Sequence, residues 1–228
     1  MAGMVSLSPF SAVVFDMDGT LLDTELVFRD IVWEVAAGLG FEMTHDVHGR
    51  MVGSSHETTR RLLAEAYGVT FPYEIFDAEC RRLMHGRMAD AVPVKAGVPE
   101  LLRELRTRRI PMAVATSSRA PHALGHLGTA GLLDMFAAIV TRDDVTHPKP
   151  HPEPYLTAAR LLGMRPSDCL AVEDSASGVA SASQAGLQTI MVPDLIQPTD
   201  ETRAACAAVL GNLHELRSAI FAAADAGP

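Results

Sequence analysis

Apolar residues recur along this chain in short unbroken runs. Residues 12–15, 112–115, 138–140, 170–172 and 189–192 are each strand-sized and apolar throughout, rather than alternating with polar ones. That is the pattern of strands covered on both faces, as in a parallel sheet. Between the runs lie stretches with helical periodicity, at 98–108, 121–127, 152–162, 175–185 and 213–223. Pro99 and Pro152 suit the first turn of a helix. Gly163 and Gly186 suit C-terminal stops. Alternating strands and helices predict a doubly wound α/β domain.

One stretch departs from this rhythm. From residue 23 to residue 90 the pattern is helical, with no convincing strand. "TELVFRDIVWEVAAGLG" places Leu26, Ile31, Val35 and Leu39 along one face. "SSHETTRRLLAEAYG" opens with Ser54 and Glu57 at capping-box spacing, and "YEIFDAECRRLMHGRM" is a third amphipathic segment. The expected organisation is a core formed by 1–22 and 91–228, interrupted by a small all-helical domain at 23–90. The tail "AAADAGP" is expected to fray.

Composition narrows the partners. The formal net charge is −9 over 228 residues, which argues against a nucleic-acid or anionic-membrane surface. No run is long and apolar enough to span a membrane, and the N-terminus lacks the pattern of a signal peptide. The three cysteines, Cys80, Cys169 and Cys206, are scattered and odd in number, as expected in a reducing compartment. A cytoplasmic protein is the expectation, as a monomer or weak dimer.

The candidate chemistry lies at the carboxyl ends of the runs, where open α/β sheets bind ligands. Asp16 and Asp18 follow the first run. Thr116, Ser117 and Ser118 follow the second, Lys149 lies in the loop after the third, and Glu173, Asp174 and Ser175 end the fourth. Alone, each cluster is a turn, a helix cap or a surface lysine. Together at one sheet edge they suit phosphoryl transfer. Grouped carboxylates repel and are costly to desolvate unless a cation joins them, and Mg²⁺ is the natural one. Thr116 and Ser117 offer hydroxyls and N–H groups to phosphate oxygens, and Lys149 offers charge. One carboxylate can attack phosphorus to give an acyl phosphate. The other can protonate the leaving oxygen and later deprotonate water.

"FDMDGTLLDTE", "ATSSR", "KPHPEPY" and "VEDSASGVASASQAG" resemble the four ordered motifs of the haloacid dehalogenase superfamily of phosphohydrolases. The resemblance implies a Rossmann-like core with a helical cap inserted after the first motif. It implies that Asp16 is the nucleophile and Asp18 the general acid/base, and that Thr116 and Lys149 bind the phosphoryl group. Asp16, the Asp18 carbonyl and Asp174 are implied to hold Mg²⁺, with Glu173 beside or behind them. Dehalogenating members lack an acid at the position of Asp18, so its presence favours phosphate chemistry. Mutases of the β-phosphoglucomutase type share the motifs and resemble one another in a cap His, Lys and Arg, where this chain has Phe28, Val52 and His56. A phosphatase acting on a small sugar or nucleoside phosphate is therefore favoured, with the mutase as the alternative. A third reading, a non-enzymatic module sensing metal or phosphate, is disfavoured because every catalytic group is present. His147 and Pro148 stand before Lys149 where many relatives have Gly.

Candidate specificity residues are Arg50 and His56 in the cap, and Arg119, which can bind a second phosphate. His45 and His48 are expected on the cap surface, and the pair His122 and His126 on a solvated helix face. Trp33 is expected to pack the cap, and the basic run at 103–109 to face solvent.

Overall fold

The computed structural model describes residues 7–51 and 56–225. The chain divides into two compact units, one formed by residues up to Asp23 with those from Pro93 onward, the other by Thr24–Val92.

The first unit holds a six-stranded parallel sheet. Its strands are β1 (Ala12–Phe15), β2 (Met112–Ala115), β3 (Ala138–Val140), β4 (Cys169–Glu173), β5 (Gln188–Met191) and β6 (Ala208–Val209), in the order β3-β2-β1-β4-β5-β6. The order reverses between β2 and β4, with β1 between them. Ala12 pairs with Cys169, and Phe15 with Val172 on one side and Val114 on the other. The predicted fifth run is displaced by one residue towards the N-terminus, and β6 is an additional short edge strand.

The helices of this unit are α5 (Val98–Thr107), α6 (Ala120–Thr129), α7 (Glu153–Leu161), α8 (Ala176–Gln184), α9 (Asp200–Ala204) and α10 (Leu213–Asp225). Pro99 lies in the first turn of α5, and Pro152 is the N-cap of α7. On one face of the sheet, Ala12, Val14, Ala113, Ala115 and Ala171 pack with Tyr155, Ala158 and Ala159 of α7 and Ala182 of α8. Small side chains on the strands let these helices lie close. Leu101, Leu102 and Leu105 of α5 are wholly buried, and α5 also packs on α10. Glu104 of α5 pairs with Arg108, just past the helix end, and with Arg217 of α10.

Among the described residues, the second unit has four helices, α1 (Thr24–Gly38), α2 (His45–Met51), α3 (His56–Tyr67) and α4 (Tyr73–Asp90). Ile31, Val35, Leu63, Phe71, Phe76 and Cys80 form its core. The short α2 has no counterpart in the sequence reading. It changes the place of His48, expected at the surface but buried at 7% exposure, with its ring 4.9 Å from that of Trp33. Trp33 packs against the core of this unit, as expected. Ser54, and with it the capping box, lies outside the described residues, as does Val52.

Candidate active site

The strand register brings the acids together. The backbone N–H of Asp16 donates to the Val172 carbonyl at 2.9 Å, which sets Asp16 beside the end of β4, where Glu173 and Asp174 follow. Lys149 reaches in from the loop before α7. Its ammonium donates to Asp16 Oδ1 at 2.6 Å and to Glu173 Oε1 at 2.5 Å, and its side chain is only 4% exposed. Burial alone lowers a lysine pKa, but the two carboxylates outweigh it and raise that of Lys149.

Glu173 is fully buried and its oxygens are occupied. Oε1 accepts from Lys149 and from the Tyr155 hydroxyl at 2.7 Å. Oε2 accepts from the backbone N–H groups of Asp174 and Ser175 and from the Ser175 hydroxyl. Ser175 caps α8 through a 3.0 Å bond from the Gly178 N–H. Gly178 has to be glycine here, since a Cβ at that position would lie 1.7 Å from Glu173 Oε1. Glu173 thus stands behind the other acids and anchors Lys149.

Asp16 and Asp174 keep free capacity. Burial, with the charges of Glu173 and Asp18 added, pushes the Asp16 carboxyl up to about 8 against the opposing pull of Lys149. Burial and the charges of Asp16 and Glu173 push Asp174 well above the usual carboxylate range. One oxygen from each of Asp16, Glu173 and Asp174 lies within 4.8 Å of the others. Asp16 and Asp174 offer carboxylate oxygens that suit a hard divalent cation, which would offset the negative charge that the three acids carry in excess of Lys149. The approach is close. Gly19 has φ +85°, and a Cβ there would come within 2.3 Å of Asp174 Oδ2, so only glycine meets both conditions.

The other predicted residues fall at the same sheet edge. Asp18 is half-buried and accepts a 2.8 Å bond from the Ser118 hydroxyl. Thr116 is buried, with Oγ1 accepting from the Ser118 N–H at 3.0 Å, and Ser117 is exposed. Arg119 precedes α6 and pairs with Asp143 at 3.3 Å. The two cap candidates are placed by the second unit alone. Arg50 pairs with Glu65. His56 lies 3.1 Å from the Tyr73 hydroxyl and 3.4 Å from Asp77, at a hollow of about 200 Å³ that Phe28, Met51 and Phe76 also line. Tyr155 and Gly178 are not named as site residues in the sequence analysis, and Ser118 is named there only as part of a polar cluster, with no role. All three lie inside the quoted motifs, so position within a motif was the signal available.

Residues 13–192 match the haloacid dehalogenase-like hydrolase family. A phosphorylated carbohydrates phosphatase of Thermotoga maritima is 34% identical over 179 residues, covering 78% of this chain and 83% of that protein. A β-phosphoglucomutase of Bacillus subtilis is 31% identical over 192 residues, covering 79% and 82%. The crystal structure of a HAD family hydrolase from Deinococcus radiodurans, with bound phosphate and sodium, superposes with a TM-score of 0.85 at 28% identity, covering 96% of this chain and 98% of that one. The chain therefore belongs to the haloacid dehalogenase-like hydrolases, and its named phosphatase relatives support that activity within the family.

Proposed function

We propose that the protein is an Mg²⁺-dependent phosphatase that hydrolyses a small phosphorylated carbohydrate or nucleoside phosphate through a phosphoaspartate on Asp16. The observation that carries this reading is the buried lysine bridging Asp16 and Glu173, with Asp174 alongside, at the carboxyl edge of the sheet. Asp16 and Asp174, with the Asp18 carbonyl, would hold Mg²⁺. The ion supplies charge neutralisation for the incoming phosphate and for the transition state.

Asp16 attacks phosphorus, and the ester oxygen leaves with a proton from Asp18. The Ser118 hydroxyl orients Asp18 for that transfer. Asp18 then takes a proton from the water that opens the phosphoaspartate, which regenerates Asp16 and releases phosphate. Lys149 and Thr116 bind the phosphoryl oxygens, with N–H groups near Ser117, and stabilise the charge on them. Glu173 and Tyr155 position Lys149. We assign leaving-group choice to the cap, His56 foremost, because the core motifs recognise only the phosphoryl end.

A sugar-phosphate mutase is the second reading, supported by the likeness to the Bacillus subtilis enzyme. Phe28, which stands in place of the mutase histidine, weighs against it. Three free thiols, Cys80, Cys169 and Cys206, support a cytoplasmic location, and no described helix is long and apolar enough to cross a membrane.

The test is a panel of phosphorylated metabolites assayed for phosphate release with and without Mg²⁺. Release that requires Mg²⁺, and that needs higher Mg²⁺ in Asp174→Ala, is the expected result. Isomerisation of a sugar phosphate, with a bisphosphate activator and no net release, would select the mutase instead.

A further inference from the structure

Outside the acidic site, the described residues bring together one other set of metal-ligating side chains, His147, His151 and Glu153. We propose that these three form a binding site for a borderline divalent cation, Zn²⁺, on the exposed side of the loop that carries Lys149.

Ligand type comes first. Two imidazoles and one carboxylate match the donors that zinc takes, whereas Mg²⁺ prefers oxygen alone. The donors also converge. One ligand atom from each residue lies within 4.8 Å of the other two. His147 Nδ1 is 3.0 Å from Glu153 Oε2, and the two imidazole rings are 4.6 Å apart between centroids. Tetrahedral zinc with bonds of about 2.0–2.1 Å sets its ligand atoms about 3.4 Å apart. The remaining closure is at most about 1.4 Å, which exposed side chains cover by rotating about their χ bonds.

The loop holds these donors in place before any ion arrives. Glu153 accepts backbone N–H bonds from Thr146 and His147, both at 2.9 Å, and its own N–H donates to His151 Nδ1 at 3.2 Å. These bonds orient the carboxylate and one ring, and each carboxylate oxygen retains a lone pair. Proline occupies positions 148, 150 and 152, so the backbone between the ligands has little freedom to lose on binding. Lys149 lies midway between the two histidines. An ion here would therefore tie down both flanks of the residue that bridges Asp16 and Glu173. The signal in the sequence is "HPKPHPE", with ligands at i, i+4 and i+6.

The test is calorimetric titration of Zn²⁺ into the full chain in excess Mg²⁺, which keeps the acidic site filled. One equivalent of zinc is expected to bind wild type. Affinity should fall by about tenfold or more in His147→Ala and in His151→Ala, while Mg²⁺-supported phosphate release without zinc stays within about twofold of wild type. Nitrogen-resolved NMR of the histidine rings should show both residues shifting with zinc. If circular dichroism shows that an alanine variant does not fold, the glutamine variant at that position replaces it. Absence of zinc binding to wild type, or equal affinity in wild type and both variants, would overturn the proposal.

Discussion

Asp16 lies at the end of β1 with its carboxylate against one ammonium and two further acids, so changing its charge and changing its shape have different consequences. Asp16→Asn keeps the volume and removes a negative charge from a crowded cluster. The protein is expected to stay folded by circular dichroism, while phosphate release falls on the order of a thousandfold or more, because an amide is a poor nucleophile and a weak metal ligand. Appreciable turnover by the folded variant would remove Asp16 as the nucleophile. Gly178→Ala tests shape alone. Its methyl group would collide with Glu173 Oε1, displacing the carboxylate that anchors Lys149. A loss of about 3 kcal/mol is expected in urea unfolding, with activity reduced in the fraction that stays folded. An alanine variant as stable and active as wild type would show that Glu173 has room to move. The sequence made Asp16, Lys149 and Asp174 legible because chemistry confines residue types at strand ends. It did not reveal Tyr155 or Gly178, whose roles depend on where α7 and α8 meet the back of Glu173.

Among the elements, α5 shows packing without chemistry. Its buried leucines lie on one side and its arginines on the other, which is why its sequence was readable. Leu105→Ala should cost about 2–5 kcal/mol of stability, because the cavity left in a well-packed core relaxes only partly. The kcat of the folded protein should be unchanged, since α5 carries no residue assigned to the site. A fall in kcat at full folding would mean that the helix positions the site after all. Three elements escaped the sequence reading: β6, α2 and the five-residue α9. Strand β6 has two residues, Ala208 and Val209, within an alanine-rich stretch where helix and strand patterns coincide. Helix α2 spans seven residues, too few for a periodic signal. The burial of His48 could not be read locally, because its cover comes from Trp33 on another helix.

For the whole molecule, the division into two units separates two kinds of recognition in our reading, with the core acting on the phosphoryl group and the cap on what it is attached to. His56→Ala is expected to lower kcat/KM for the preferred natural ester by about tenfold, as for loss of one hydrogen-bonding contact of about 1.4 kcal/mol. It should leave hydrolysis of a small generic aryl phosphate within about twofold. Equal losses on both substrates would show that the cap does not choose. The helical insert is expected at 23–90, where the strand rhythm stops and restarts, and the second compact unit spans Thr24–Val92. Which cap side chains read the substrate was not legible, because no motif marks them. The pairing of β1 with β4 has one more consequence, for biosynthesis. β1 is made first, yet its neighbour β4 follows the whole cap, β2 and β3. On the ribosome, the strand bearing Asp16 must wait with one edge unpaired until residues near Glu173 emerge, exposed in the meantime to premature strand pairing and to chaperones.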